Sequence, residues 1–350
     1  MTGKITSMRM PGLDGIRALS VVAVVWHHSH PGYVSLPLSQ NGFLGVDVFF
    51  VLSGFLITKL LLDELNTSGT ISLRSFYIRR SLRIFPLYYL VLVLLYFYFI
   101  RSGSAASNAA EFMHELPWHV SYTSNWVQMK SLMAITWSLS AEEQFYLVWP
   151  PLLLLFGARS LWLLIAFLIV NQAVNFGALD AILETAGIPF KSLSILQITF
   201  TPILLGVLLG FVLKINAVVR LVSHLPKWTI WFSCAVSLAL ANIPGDLRGW
   251  PRLAFHLVIT SIIAMVVLRP ESRLVRALEW RPLVYIGAVS YGVYLLHKLV
   301  LHVVSRSLNA ASIDAPTPLF VLTLLGTVGL ASVSYRYFEV PILSLKARFC

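Results

Sequence analysis

Long apolar segments make up most of this chain, and short polar stretches separate them. A helix that crosses a bilayer needs roughly 20 predominantly apolar residues, and about ten segments meet that length. The pattern predicts an all-α fold, a single bundle of about ten transmembrane helices that forms one domain over residues 1–350. The predicted spans lie at about 14–32, 43–62, 84–101, 142–157, 160–178, 197–213, 227–243, 252–269, 283–303 and 318–338. The longest outer segment, about 102–136, is polar and aromatic, and we expect a lid or a short interfacial helix there.

Composition and charge agree with a multi-pass membrane protein. Hydrophobic residues make up 57% of the 350 positions and charged residues only 12%, with a mean hydropathy of +0.79. The net charge of +11 would suit a nucleic-acid partner, but most of the 26 basic residues fall between apolar segments, on one side of the predicted membrane. This positive-inside asymmetry predicts that both termini are cytoplasmic, that the bilayer is the partner and that nucleic acid is not. Cys234 and Cys350 have no spacing suited to a disulfide or a zinc site.

The first apolar segment, from Leu13 to His30, carries polar groups at both ends. On an α-helix, Arg17 and His28 lie about 20° apart around the axis and roughly 16 Å apart along it. They therefore share one stripe, whereas His27 falls about 80° away from Arg17. An anchoring arginine and a histidine at the far interface would explain the same pattern, so this helix alone does not indicate catalysis.

Asp47 lies just inside the outer end of the second predicted span. A carboxylate within a span is costly and is a functional-site candidate by default, although a structural ion pair or a shallow interfacial position would also explain it. The nearby Gly42, Gly45 and Gly54 indicate close packing of helices.

Arg80 and Arg83 lie at the cytoplasmic entrance of the third predicted span, beside Arg79. Because Arg80 and Arg83 are one helical turn apart, they project from one face and are able to hold a phosphate by charge-assisted hydrogen bonds. Positive-inside anchoring, or contact with anionic lipid head groups, is the alternative, and this segment taken alone favours it.

Two acidic residues, Glu142 and Glu143, begin the fourth predicted span. Ser140 with Glu143 three positions later matches a capping box, which would account for one carboxylate. The capping box would not account for the second carboxylate. Together with Trp137 and Tyr146, the acids form a hydrogen-bonding group suited to holding a sugar or orienting a histidine.

Further polar residues occur late in the chain. His297 lies in the ninth predicted span and fits either a hydrogen-bonded core histidine or a substrate contact. Arg336 and Glu339 are one turn apart at the end of the tenth, and we expect an intrahelical ion pair.

Six segments occur in the order expected of the acyltransferase-3 family of integral-membrane acyltransferases: LDGIRALSVVAVVWHH, GFLGVDVFFVLSGFLIT, YIRRSLRIFPLYY, WSLSAEEQFYLVWP, SYGVYLLH and YRYFEVP. The chain resembles this family over residues 13–341. The family's basic residue, ten intervening residues and histidine are matched by Arg17 and His28, and its Arg-x-x-Arg by Arg80 and Arg83.

The resemblance implies transfer of an acyl group, most often acetyl from acetyl-coenzyme A, to hydroxyls of bacterial surface carbohydrates or, alternatively, of a macrolide. It also implies residence in the bacterial cytoplasmic (inner) membrane. We expect no counterpart here of the extracytoplasmic hydrolase-like domain of longer relatives, and we expect the membrane core and outer loops to handle the acceptor. A thioester needs no metal. Direct transfer and an acyl-histidine relay both remain open.

We assign each polar residue a candidate role on this basis. The candidate catalytic residues are His28, Asp47 and Glu143; those for the phosphates of acetyl-coenzyme A are Arg17, Arg80 and Arg83; those for the acceptor are Glu142, Trp137, Tyr146 and His297. A proton-coupled carrier is the alternative from another class, but no inverted repeat in the sequence supports it. A non-catalytic scaffold that binds lipid or a partner is a third.

Overall fold

The computed structural model describes residues 10–30, 38–101, 107–178, 180–186, 200–245, 247, 249–313 and 316–349, and these ranges contain helices and no strand. In chain order the α-helices are α1 Leu13–Ser29, α2 Leu44–Ser68, α3 Leu73–Arg101, α4 Ser107–Val120, α5 Trp137–Phe156, α6 Ser160–Asn175, α7 Asp180–Thr185, α8 Thr201–Val212, α9 Asn216–His224, α10 Thr229–Ala241, α11 Trp250–Leu268, α12 Arg273–Leu278, α13 Arg281–Ala288, α14 Ser290–Ala310, α15 Pro316–Ser334, α16 Val340–Ser344 and α17 Lys346–Phe349. Short 3₁₀ turns cover Ala134–Thr136 and Gly157–Arg159, and a π-helical turn covers Tyr335–Glu339.

The predicted all-α fold is confirmed over the described ranges, but about ten spans are not. Five helical runs in those ranges are long and apolar enough to cross a membrane, or up to seven if each of two bent pairs forms one span. One bent pair is α8 with α9, at 103°, and the other is α13 with α14, at 76°. The count is lower because α1 has 17 residues and α10 has only 13. In addition, the spans expected at 142–157 and 160–178 form one continuous helical run, Ala134–Asn175. The first residues of the span expected at 197–213 lie outside the described residues.

Glycines allow α2 to approach two neighbouring helices at backbone distance. A Cβ added to Gly54 would overlap the carbonyl oxygen of Ile203 on α8, and one added to Gly206 would overlap that of Val51 on α2. In the same way, a Cβ on Gly45 would overlap the carbonyl oxygen of Ser20 on α1. The close packing predicted for Gly45 and Gly54 is confirmed. Together with Gly206, which was not predicted, these glycines fix α1, α2 and α8 against one another.

The third helix begins earlier than the apolar pattern predicts. It runs from Leu73 instead of residue 84, because residues 73–83, which include four arginines and two serines, are also helical and precede the more apolar part. Arg80 and Arg83 are therefore held on a regular helix and project from the same face. Pro86 lies inside this helix, immediately after that polar part.

The outer segment expected to form a lid or interfacial helix contains α4. Its His119 is fully buried: Nδ1 lies 3.0 Å from Thr136 Oγ1, and Nε2 lies 3.5 Å from a carboxylate oxygen of Glu115. Glu115 also accepts a hydrogen bond of 2.6 Å from the backbone N–H of Lys130, and the Tyr88 hydroxyl donates to the His119 carbonyl at 2.9 Å. This buried network ties α4 to the start of α5 and to α3.

Acidification is expected to weaken this attachment of α4. Burial lowers the pKa of His119 below its usual 6.5, and the neighbouring Glu115 only partly opposes that effect. Below pH 6.5 the unfolded chain therefore binds more protons at His119 than the folded chain does. The free energy of unfolding contributed by neutral His119 is fully present above pH 6.5, and it is lost as the pH falls toward the lowered pKa of the folded state. The difference in melting temperature between wild type and His119→Gln, measured from pH 7.5 to 5, should shrink with acidification. A difference that stays constant would exclude His119 as the titrating group.

Candidate functional site

A polar cavity of about 140 Å³ lies among α1, α2, α3, α5 and α14. Its charged and hydroxyl-bearing lining consists of Arg17, Ser53, Arg80, Arg83, Ser138, Glu142, Tyr146, Ser290, Tyr291 and Tyr294. The remaining lining is apolar: Val46, Phe49, Phe50, Leu56, Ile84 and Leu139. Five of the residues assigned from sequence therefore line one cavity, and all three arginines are among them.

The three arginines differ in how far their charge is already paired. Arg17 forms an ion pair of 2.8 Å with Asp14 on its own helix. The Arg80 guanidinium lies 4.9 Å from the centre of the Tyr146 ring, a cation–π contact. In the part of the chain that the structure describes, neither Arg80 nor Arg83 forms a hydrogen bond or ion pair, and the Arg83 side chain is exposed. Two unpaired guanidinium groups in one cavity are suited to an anionic ligand.

Arg79, the neighbour of Arg80 in the sequence, points away from the cavity. It lies 3.9 Å from a carboxylate oxygen of Glu64 at the end of α2 and does not line the cavity. Since adjacent residues on a helix point about 100° apart, Arg79 joins helices at the surface while Arg80 turns inward.

Glu142 is the one carboxylate among the described residues that line the cavity. It accepts short hydrogen bonds from the hydroxyls of Ser53 and Tyr146. The Tyr294 hydroxyl, which also lines the cavity, lies 2.6 Å from Ser138 Oγ and donates to the Ile135 carbonyl at 2.9 Å. Hydroxyl and carboxylate groups of this kind are able to hold the hydroxyls of a carbohydrate.

A pair of histidines adjoins the cavity behind Tyr294. His297 Nε2 lies 3.1 Å from His28 Nδ1, and the rings of His297 and Tyr294 are 5.8 Å apart. His28 and Tyr294 thus contact the same buried histidine. His27 faces a different neighbour, as its position on the helix predicts, with Nδ1 2.6 Å from the Ser39 carbonyl and its ring against Phe43. The contact between His28 and His297 was not predicted, because α1 and α14 lie at opposite ends of the sequence.

Asp47 lies in a separate buried cluster. Its carboxylate accepts hydrogen bonds of 3.1 and 3.2 Å from the guanidinium of Arg252, and His256 Nε2 lies 2.9 Å from one of its oxygens. Both partners belong to α11. This arrangement is the structural ion pair that the sequence left open as an alternative, and neither Arg252 nor His256 was singled out from the sequence, where they carry no motif.

Removing this carboxylate should destabilise the protein. Asp47→Ala leaves the Arg252 charge and His256 facing a buried gap, so we expect a loss of about 3 kcal/mol in the free energy of unfolding. Thermal unfolding of the purified protein measures it. Asp63→Ala is the matched control, because its ion pairs with Lys59 and Lys214 are exposed and should contribute less than about 1 kcal/mol. A normally stable but inactive Asp47→Ala protein would instead indicate a direct role in the reaction.

Glu143 does not form the expected capping box. The helix already begins at Trp137, and the Ser140 hydroxyl lies 2.8 Å from Ser124 Oγ. One carboxylate oxygen of Glu143 is buried with no hydrogen-bond partner among the described residues, so this acid has an unused acceptor. Trp137 packs edge-on against Phe50, a residue of the cavity wall.

The expected ion pair at the end of the tenth predicted span is also absent from the described residues. Glu339 accepts a hydrogen bond of 3.0 Å from Ser334 Oγ, and the guanidinium of Arg336 lies over the Tyr337 ring. The reason is the π-helical turn Tyr335–Glu339, which widens the helix and changes which side chains share a face. No group of three or more His, Cys, Asp or Glu side chains within the described ranges is placed to hold a metal ion.

Apolar helices around a cavity lined by three arginines define a helical membrane protein with an internal cationic cavity. The chain belongs to the acyltransferase-3 family: the family's acyltransferase domain matches residues 10–336. It is 29% identical to the peptidoglycan O-acetyltransferase OatA of Listeria monocytogenes, over 95% of this chain and 56% of that protein. It is 30% identical to the O-acetyltransferase OatA of Staphylococcus aureus, over 95% of this chain and 57% of that protein. The chain thus spans a little over half the length of these curated relatives, and no solved structure matches it.

Proposed function

We propose that this protein is a membrane O-acyltransferase that moves an acetyl group from acetyl-coenzyme A to a hydroxyl of a bacterial surface carbohydrate. The observation that carries the proposal is the convergence of Arg17, Arg80 and Arg83 on one cavity that adjoins the pair His28 and His297. A phosphate-rich donor and a proton acceptor are the two components that transfer from a thioester to a hydroxyl requires. The relatives named O-acetyltransferase support the same class of reaction.

The donor is proposed to bind through its phosphates to the unpaired guanidinium groups of Arg80 and Arg83, with Arg17 beside them. Its pantetheine arm then extends into the bundle toward His28, which lies roughly 16 Å from Arg17 along α1. His28 takes the proton of the acceptor hydroxyl as the hydroxyl oxygen attacks the thioester carbonyl carbon. The carbon–sulfur bond breaks, and the leaving coenzyme A thiolate takes the proton from the His28 imidazolium, which returns to its neutral form. An acyl-histidine relay through the same residue remains an alternative order of these steps.

The acceptor is proposed to be a carbohydrate, and peptidoglycan is the first to test because one relative is named for it. Glu142 and Tyr146 in the cavity and the unused oxygen of Glu143 supply acceptors and donors for sugar hydroxyls. Trp137 offers an aromatic face beside them, and Asp47 would support the α2 side of the cavity by joining α2 to α11. The cavity faces the cytoplasm on the arginine side in the proposed topology, with both termini cytoplasmic.

Incubation of the purified protein with acetyl-labelled acetyl-coenzyme A and soluble peptidoglycan fragments tests the proposal. We expect label on the fragments as a base-labile ester, together with release of one free thiol per acetyl transferred. Release of the thiol without transfer to fragments, but with transfer to another carbohydrate, would keep the reaction class and change the acceptor. No thiol release with any acceptor, together with proton-coupled uptake of an anion into vesicles, would identify a carrier instead.

A further inference from the structure

His297 is fully buried, and both of its ring nitrogens have partners. Nδ1 lies 2.6 Å from the backbone carbonyl oxygen of Tyr294, and Nε2 lies 3.1 Å from His28 Nδ1. A carbonyl oxygen only accepts hydrogen bonds, so His297 Nδ1 must carry the proton. In a neutral imidazole the other nitrogen is then unprotonated, which makes His297 Nε2 a hydrogen-bond acceptor.

The same reasoning fixes the protonation of His28. Its Nδ1 lies 3.0 Å from the carbonyl oxygen of Val24, one turn earlier on α1, so this nitrogen is also a donor. The single Nδ1–H of His28 therefore lies between two acceptors, the Val24 carbonyl and His297 Nε2. The lone pair of a neutral His28 is left on Nε2, the nitrogen that faces neither of them.

We propose that His297 is a positioning residue that holds His28 as the Nδ1–H tautomer, with Nε2 as the nitrogen that reacts. The use of that nitrogen rests on the proposed acyl transfer, whereas the tautomer does not. When Nε2 takes the proton of the acceptor hydroxyl, His28 becomes an imidazolium, and its Nδ1–H bond to the neutral His297 becomes charge-assisted and stronger. His297 thus stabilises a charge that exists only during the reaction, as the residue that orients a catalytic histidine does in other acyl-transfer sites.

The sequence assigned His297 to the acceptor site, and the geometry favours a different role. His297 does not line the cavity, and its Nδ1 is already bonded to the main-chain carbonyl of Tyr294. Its other nitrogen is occupied by His28. Neither nitrogen of His297 is therefore free to contact a sugar, while both are arranged to orient His28.

Two substitutions at this position separate positioning from packing. Glutamine has a side-chain carbonyl able to accept from His28 Nδ1–H, whereas leucine fills the space without an acceptor. We expect His297→Leu to lower the rate of acetyl transfer about 10- to 100-fold, the usual effect of losing such a supporting group. His297→Gln should stay within about 3-fold of wild type, and His302→Leu on the same helix should have no effect. The affinity for acetyl-coenzyme A should be equal in all four proteins.

Nitrogen-15 NMR of the histidine-labelled protein reports the tautomer without any need for activity, with the His28 signals assigned by their loss in His28→Asn. We expect a protonated Nδ1 and an unprotonated Nε2 in wild type and in His297→Gln, and a smaller share of that tautomer in His297→Leu, where the Val24 carbonyl is the acceptor that remains. If the wild type shows the Nε2–H tautomer, or if His297→Leu transfers acetyl at the wild-type rate, the proposal is wrong. If the wild type transfers no acetyl, the proposed function fails, and the NMR result still decides the tautomer. Should His297→Leu not fold, the wild-type spectrum decides alone.

Discussion

Acetyl transfer is expected to fall about 10²- to 10⁴-fold when His28 is replaced by alanine, because general-base assistance contributes a factor of that size. The substitution removes the imidazole that we propose takes the proton, on the helix stripe that also carries Arg17. Binding of acetyl-coenzyme A should be unchanged, since the donor phosphates are proposed to contact the arginines and not the histidine. Initial rates with labelled donor measure acetyl transfer. A direct binding measurement on the same preparation gives the affinity for acetyl-coenzyme A.

His27→Ala is the matched control for this experiment. His27 is the next residue along the chain and has the same side chain, but its Nδ1 bonds the Ser39 carbonyl and its ring packs on Phe43. We expect a modest loss of stability and a transfer rate close to wild type. An inactive His27→Ala protein beside an active His28→Ala protein would overturn the assignment of the base.

Donor affinity should fall sharply when both Arg80 and Arg83 are replaced by alanine. Each charge-assisted hydrogen bond contributes about 1.5–3 kcal/mol, so each single substitution should weaken binding about 10- to 150-fold, and the double substitution should weaken it further. Isothermal titration with coenzyme A, whose phosphates are those of the acetylated donor, measures the effect without turnover. Added salt should weaken the wild-type interaction as well.

Arg79→Ala supplies the control for the arginines. It removes the same charge from the same turn of α3, but Arg79 faces Glu64 and lies outside the cavity. Equal loss of donor affinity in Arg79→Ala and Arg80→Ala would indicate a general effect of positive charge. In that case Arg80 and Arg83 would have the anchoring role that the sequence left open for them.

Local patterns predicted the parts of this fold that depend on local chemistry. The glycines near Asp47 do mark a close helix contact, and the one-turn spacing of Arg80 and Arg83 does place both in one cavity with Arg17. Local patterns do not predict contacts between segments that are far apart in the sequence. Asp47 meets Arg252 only because α11 packs on α2, and His28 meets His297 only because α14 returns to α1.

The number of spans was overestimated because hydropathy counts apolar residues and registers neither a helix too short to cross nor two apolar segments that join in one run. Hydropathy also does not register where a helix bends. The helix pair α13 and α14 bends by 76° at Val289, although the segment reads as one span. Beside the bend, a Cβ on Gly287 would overlap the carbonyl oxygen of Asp14, so α13 lies directly against the backbone of α1. The bend at Val289 therefore lies beside a tertiary contact, and the sequence has no proline at the bend.

The glycine contact between α2 and α8 has a consequence for how this sequence can change. Gly54 faces the backbone of Ile203, and Gly206 faces the backbone of Val51, so the obstacle at each position is a carbonyl oxygen and not a side chain. A larger residue at one position cannot be compensated by a smaller residue at the other. Each glycine faces backbone atoms, which no substitution removes. The two positions are therefore constrained independently, and they would show no compensating pair of substitutions even though they lie at one of the tightest contacts in the protein.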